Sequence, residues 1–426
     1  MRLAKDLRVL MIMGFLVMMA GTFGSFPGFD PITEIWSVLC LIYLVFAYPW
    51  QGHKGLPKIS AFEWYLLALI VVPPLWMAFS AQSEFGQPIL YGMLAVRDLV
   101  RIASILFLVR ALRSGVLTLD DVETSLLVLS WSLAILFTSM RLFVPPPPYG
   151  KFIGFVGVSG TYTFKADFMI FGVFYYAFRG FRTRRAKNYL LALLLLAGAV
   201  DPTGNRQMLV AIFASFLFFV WRWASLRRLL ILLPQIVLGL ALIMCALYIA
   251  MPKVTSERIA KFGDAFSVVL TGQEGDDASA NAHYAEFLYA LPAIAKHPIL
   301  GNGRLSFQWG GGGDTVREMH FYPEDIGLFG LLYQYGLVGL ILFGWQFVFA
   351  VRAARRLRGQ SAPLTDATKG FLLYLALGSC MALTLFAFNP ALSLFPIALL
   401  RAIAERTPSM GADTSPAPLD ATPQFL

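Results

Sequence analysis

Charge is what this chain has least of. Only 14% of its 426 residues are Asp, Glu, Lys or Arg, against 58% hydrophobic, and its mean hydropathy is +0.68. A soluble globular protein carries roughly a quarter charged residues, so that class is excluded. Cysteine is nearly absent: Cys40, Cys245 and Cys380 all fall inside apolar runs. They offer neither an extracytoplasmic disulfide framework nor a Cys-x-x-Cys metal site. There are four histidines, and none sits in a zinc-binding spacing. No Rossmann fingerprint and no Ser/His/Asp order occurs. The "GGGGD" stretch is followed by no G-K-[ST], so it is not a nucleotide loop.

What is present is apolar sequence in runs long enough to span a bilayer. The spacing predicts an all-α polytopic transmembrane helical bundle of about twelve spans. They lie near 9–26, 33–50, 62–81, 88–110, 124–144, 166–180, 188–202, 207–223, 229–251, 327–350, 370–388 and 390–404. Residues 1–250 then carry spans one to nine, and 251–326 form one large loop. Residues 327–405 carry spans ten to twelve, and 406–426 a Pro/Ala/Thr-rich tail with too little apolar surface to fold. Arg2, Lys5 and Arg8 precede the first run without a small-residue cleavage site, so a retained first helix is expected.

The formal charge of +9 follows the loops in alternation. "RGFRTRRAK" (Arg179 to Lys187), "RWASLRR" (Arg222 to Arg228) and "RAARRLRG" (Arg352 to Gly359) fall on the same predicted face as the N-terminal basic residues. That pattern is positive-inside topology with both termini cytoplasmic, not a nucleic-acid surface. The opposite face holds short turns and the loop 251–326. A loop of that length is usually functional. Within it, "TSERIAKFGDAFSVVL" and "NAHYAEFLYALPAIAKHP" have helical spacing, the second with Phe287, Leu291 and Ile294 on one side. "EGDD" between them reads as a solvated turn in preference to a divalent-cation site.

Charges at the edge of spans are candidate functional groups, because each must be paired or must face a polar cavity. "AVRDLVRIAS" puts Arg97, Asp98 and Arg101 in the fourth span. They form either an internal salt bridge or the lining of a polar cavity. Lys165 and Asp167 stand at the outer entrance of the sixth span, where they either pair with each other or face the cavity. Arg206 opens the eighth span after a tight turn. There a guanidinium and free helix N–H groups make a cradle for a diphosphate, or else the side chain snorkels to water. The large loop adds His283, His297, Arg304, Arg317, His320, Glu324 and Asp325 on the same face. Asp325 either N-caps the tenth helix or presents its carboxylate to the cavity.

Three stretches in register, "TGNRQMLVAIFASFL", "HYAEFLYALPAIAKHPILGNG" and "DIGLFGLLYQYGLVG", resemble the O-antigen ligase and O-antigen polymerase family of bacterial membrane glycosyltransferases. The motifs cover roughly residues 140–350. The resemblance implies an inner-membrane enzyme acting on the periplasmic face upon an undecaprenyl-diphosphate-linked glycan. An acceptor hydroxyl attacks the anomeric carbon and polyprenyl diphosphate leaves, with no metal, no nucleotide sugar and no other cofactor. On this resemblance Arg206, with Arg304 or Arg317, holds the diphosphate; the charged edges read above add His283, Lys165, Arg97 and Arg101 as candidate substrate-binding groups, and Asp325, Glu324 or His320 as the candidate acid–base group. A chain-length regulator is an implied protein partner; nucleic acid is not. The sequence departs from the ligases in carrying Asp325-Ile326 where they carry His-Asn, and His283 where they carry Arg. The departures favour a polymerase over a ligase. A lipid-linked glycan flippase is the competing class, and the lack of an internal repeat counts against it.

Overall fold

The structure, a computed structural model, describes residues 2–22, 30–48, 58–143, 165–203, 206–223, most of 271–310, 321–358, 362–381 and 389–406, with isolated residues between 245 and 268. Among the described residues every regular element is helical and no strand occurs. The helices are α1 (Arg2–Ala20), α2 (Asp30–Ile42, continued by a π-turn Tyr43–Ala47), α3 (Ala61–Phe85), α4 (Ile89–Ala95), α5 (Ile102–Arg113), α6 (Leu119–Phe143) and α7 (Asp167–Thr183). They continue with α8 (Ala186–Thr203), α9 (Arg206–Trp223), α10 (Ala278–Lys296), α11 (Gly327–Gly344), α12 (Gln346–Arg356), α13 (Pro363–Met381) and α14 (Pro390–Arg406).

Among the described residues, three helical stretches are long and apolar enough to cross a membrane: Ala61–Phe85, Leu119–Met140 and the run Pro323–Arg356. Ile32–Ala47, Ala186–Ala199 and Met208–Phe219 are shorter apolar helices. Large apolar side chains also face outward, among them Phe46, Phe79, Ile135 and Phe143. Water would oppose exposing so much apolar surface, whereas hydrocarbon does not. The interior is close-packed and aromatic: Phe168 of α7 lies edge-on to Phe395 of α14 and Phe171 to Phe371 of α13, while Phe174 and Phe178 stack on each other.

Two expected spans are not single helices. The fourth breaks into α4, a 3-10 turn (Arg97–Arg101) and α5. The tenth is interrupted within α11 at Gly336, whose φ is +63°. There the helical bonds from Leu337 and Val338 to Tyr333 and Gln334 are absent, and the segment 298–303 takes their place. Leu337 and Val338 donate to Pro298 and Ile299 carbonyls at 2.9 and 3.1 Å. Asn302 and Gly303 donate to Tyr333 and Gln334 carbonyls at 2.8 and 3.1 Å. The freed N–H groups of Leu337 and Val338 and the carbonyls of Tyr333 and Gln334 are therefore satisfied, as irregular chain inside an apolar bundle requires. Gly301 and Gly303 have φ of +73° and +83°, and a Cβ on either would collide with the backbone of Gln334 or of Met77 and Ala81. The two glycine patterns, "LGNG" and "YGLVG", are thus two halves of one contact.

At the far end of α3 from this break, Glu63 is fully buried. It caps its own helix through Ser60 and pairs with Arg110 and with Arg113, the latter at 2.7 Å. Arg401 lies 4.8 Å from the Phe62 ring centroid beside it. Pro390 opens α14, and Asn389 before it accepts from the Leu392 N–H at 3.2 Å as an ordinary helix cap. Most of the expected ninth span, most of the first loop helix and the tail lie outside the described residues.

Candidate functional site

The charged residues at the start of α5, the start of α7 and the loop before α11 form one electrically connected chain. Arg97 leaves its neighbours and pairs with Glu34 of α2 at 2.6 Å. Arg101 turns back to Asp98 at 3.1 Å and donates to Ser37 at 3.0 Å. Both arginines lie in the 3-10 turn that follows Val96, where about three residues per turn put positions four apart on different faces. The internal salt bridge is real and belongs to Arg101.

Lys165 lies within electrostatic reach of Asp167, Arg101 and Asp98. Of the two alternatives, the ion pair with Asp167 is not made; Asp167 accepts from Tyr374 at 3.3 Å. Lys165 has no ion-pair or hydrogen-bond partner among the described residues. It reaches solvent, yet the protein packed around it lowers its ammonium pKa, with Asp167 opposing the shift. A cation so crowded and so unmatched suits an anionic ligand better than it suits the empty protein.

Arg304 joins this group to the loop. It feels Asp98 and Arg97 as well as Glu324, with which it pairs at 3.4 Å. Both side chains are 9% exposed. Glu324 also accepts from Gln334 Nε2 at 3.1 Å, and Gln87 accepts the Ser306 N–H and donates to the Arg304 carbonyl. The cavity beside Arg304, Glu324 and Tyr322 is about 30 Å³, room for one water and not for a sugar. Glu324, expected among the acid–base groups, is therefore an enclosed structural partner of Arg304.

Asp325, the next residue, points elsewhere. It does not cap α11: the helix starts from Ile326 with no side-chain cap, and Asp325 sits inside a 3-10 turn, Pro323–Ile326. Its carboxylate meets Glu286 and His283, the ligand atoms of all three lying within 4.8 Å of one another. His283 Nδ1 is 3.4 Å from Glu286 Oε2, and Glu286 Oε1 accepts from the Tyr322 N–H at 3.1 Å. Asp325 is open to solvent, but the surrounding protein and then the Glu286 charge raise its pKa to about 6, with His283 opposing. A carboxylate titrating there is a competent general base near neutrality. One imidazole and two carboxylates could also hold a divalent cation.

Glu286 is the residue that sequence reasoning missed. Its signal was available: "HYAE" sets His283 and Glu286 at i and i+3, on one helical face. The buried side of α10 runs through Glu286 and Ala290, with Phe287 and Ile294 partly covered, while Leu291 is exposed. The expected apolar stripe is shifted accordingly, because a buried acid takes a position that periodicity assigns to carbon. His297 Nε2 is 2.8 Å from Glu84 of α3, which also holds Lys296 at 2.7 Å, so this histidine anchors the end of α10. Arg206 is the first residue of α9. Its side chain, together with Arg317, His320, Glu274 and Asp277, lies outside the described residues.

No protein-family model and no curated protein matches the chain.

Proposed function

We propose that the chain is a polytopic inner-membrane glycosyltransferase that polymerises undecaprenyl-diphosphate-linked oligosaccharide repeat units on the periplasmic face. The observation that carries the proposal is Lys165, without an ion-pair partner among the described residues, beside Arg101 and coupled through Asp98, Arg304 and Glu324 to a solvent-open carboxylate, Asp325. In this reading Lys165, Arg101 and Arg206 hold the diphosphate, and Arg97 and Arg304 set the field around it. Asp325 takes the proton of an acceptor hydroxyl. The hydroxyl oxygen bonds to the anomeric carbon, the bond from that carbon to the diphosphate oxygen breaks, and its electron pair leaves with polyprenyl diphosphate. The cations neutralise the charge that develops there. Twelve spans with both termini cytoplasmic follow from the alternation of basic loops. The family resemblance of the three motifs supports the same assignment.

The test is reconstitution. Purified protein is given only polyprenyl-diphosphate-linked repeat units from its own host, and products are sized by gel or mass. A ladder of longer lipid-linked glycans, lost in Arg206→Ala and Lys165→Ala, is the expected result. An intact donor and no ladder rejects self-sufficient polymerisation. Transfer to an added lipid A core instead would assign a ligase. One observation favours a second reading, transport of the lipid-linked glycan: α11 is discontinuous at Gly336, as helices of transporters often are. Movement of the donor across a sealed vesicle without glycan growth would decide for it.

A further inference from the structure

A second polar cavity lies at the other end of α7, sixteen residues and roughly 24 Å along the helix from Asp167. It occupies about 260 Å³ between the end of α7 and the start of α8. Its lining includes Arg179, Arg185, Lys187, Thr183, Asn188 and Tyr176. Three cations converge on it, and none has a carboxylate partner among the described residues. Arg182, from the same basic stretch, turns away and pairs with Asp366 of α13 at 2.8 Å. The polar wall is fixed in place: Asn188 Nδ2 donates to Thr183 Oγ1 at 2.8 Å, and Thr183 Oγ1 donates to the Arg179 carbonyl at 2.8 Å. The turn that brings Arg185 and Lys187 round holds Arg184 at a φ of +53°, the only non-glycine residue with a left-handed backbone among those described. Strain of that kind persists only where the surroundings enforce it.

The apolar side of the same place is equally specific. Below the cations, α8 turns Leu190, Leu193 and Leu194 outward, each at least 50% exposed. Leu191 closes the cavity floor. A basic cavity lined from the first turns of a helix whose next turns carry exposed leucines has the two chemistries of a phospholipid, a phosphate and an acyl chain. We propose that this cavity binds the headgroup of an anionic phospholipid, with Arg179, Arg185 and Lys187 on the phosphate and the acyl chains along Leu190, Leu193 and Leu194. The site is remote from the candidate transfer site and does not depend on what that site does.

The experiment is native mass spectrometry of the full-length protein in detergent, titrated with phosphatidylglycerol, with phosphatidylcholine, and with inorganic phosphate as a competitor. Wild type should retain phosphatidylglycerol and not phosphatidylcholine, and millimolar inorganic phosphate should not displace it. Neutralising the cations should weaken binding about fivefold for each one removed, following the strength of basic residues toward anionic lipid. The variants are Arg185→Gln with Lys187→Gln, both exposed, and then Arg179→Gln added. The charge-keeping pair Arg179→Lys with Arg185→Lys should bind nearly as well as wild type. This pair separates loss of charge from loss of fold. Equal retention of phosphatidylglycerol by the triple-neutral protein overturns the proposal. Equal binding of phosphatidylcholine, or ready displacement by inorganic phosphate, also overturns it, the latter in favour of a soluble anion.

Discussion

Alanine at Gly336 is the sharpest perturbation this fold allows. The break in α11 interrupts the three helical hydrogen bonds whose rings contain Gly336 and gains four to the segment 298–303. A methyl at Gly336 would collide with the Ile299 carbonyl and the Gly301 N–H, on a backbone at φ +63°. The chain then has two ways to respond. If the segment stays, alanine is held at φ +63° and ψ −167°, a region essentially restricted to glycine, at about 1–3 kcal/mol, with steric overlap added. If the segment leaves and α11 closes into a regular helix, four bonds are exchanged for three. At about 1 kcal/mol net per bond that loses about 1 kcal/mol, before the cost of stranding Asn302 and Gly303 among apolar neighbours. Either response costs at least about 1 kcal/mol. Gly344 in the same helix has open space around its Cα, so Gly344→Ala should be neutral or stabilising by up to about 1 kcal/mol. Thermal unfolding of both variants in one detergent reads the contrast. Equal midpoints for Gly336→Ala and wild type would refute the account of the inserted segment.

Asp325→Asn should abolish glycan transfer, by about a hundredfold or more, while leaving the fold intact. The folded pKa of about 6 lies above the ordinary aspartate value, so the folded state favours the protonated form. Any stability Asp325 contributes is present at low pH and lost as pH rises through about 6; at pH 7.5 asparagine should therefore be no less stable than wild type. Transfer should rise with pH to a plateau above about 6, and a limb near 4 would remove Asp325 as the base. Glu63→Gln should destabilise by about 3–5 kcal/mol in thermal unfolding, because it removes the carboxylate that faces the enclosed Arg110, while Arg113 keeps Glu405 at 3.4 Å. Chelation should leave transfer unchanged. Activity lost to a chelator and restored by a divalent ion would reassign His283, Glu286 and Asp325 as metal ligands.

The helices were legible because their signal is long and repeated. Apolar runs placed α3, α6, α7, α8 and α9 within a few residues of their observed limits. The breaks were not legible, because what decides them lies far away in sequence. Nothing within "YQYGLVG" says that Gly336 opens; the reason is the segment 298–303, which fills the opening. The same holds for Arg97. Its near neighbour Asp98 is taken by Arg101, and Glu34, distant in sequence and close in space, settles where Arg97 goes. Local spacing ranks local partners, and a bundle offers distant ones at equal range.

Glu324 and Asp325 show how finely position divides adjacent residues of the same chemistry. One turn of 3-10 helix sends the first inward to Arg304 and Gln334 and the second outward to Glu286 and His283. The inward carboxylate is matched by a cation and an amide, and it fixes the loop to α11. The outward carboxylate faces another carboxylate, an arrangement that keeps a proton within reach at neutral pH. Removing the inward partner should therefore act on the outward one through position. In Glu324→Gln, Arg304 loses its counter-ion and the 3-10 turn loses its anchor. The pH limb assigned to Asp325 should then shift or broaden together with a fall in stability, whereas Asp325→Asn should remove the limb and spare the fold. A Glu324→Gln protein with an unchanged midpoint and an unchanged limb would mean that the two carboxylates are independent, and that the Arg304 pair does not position the base.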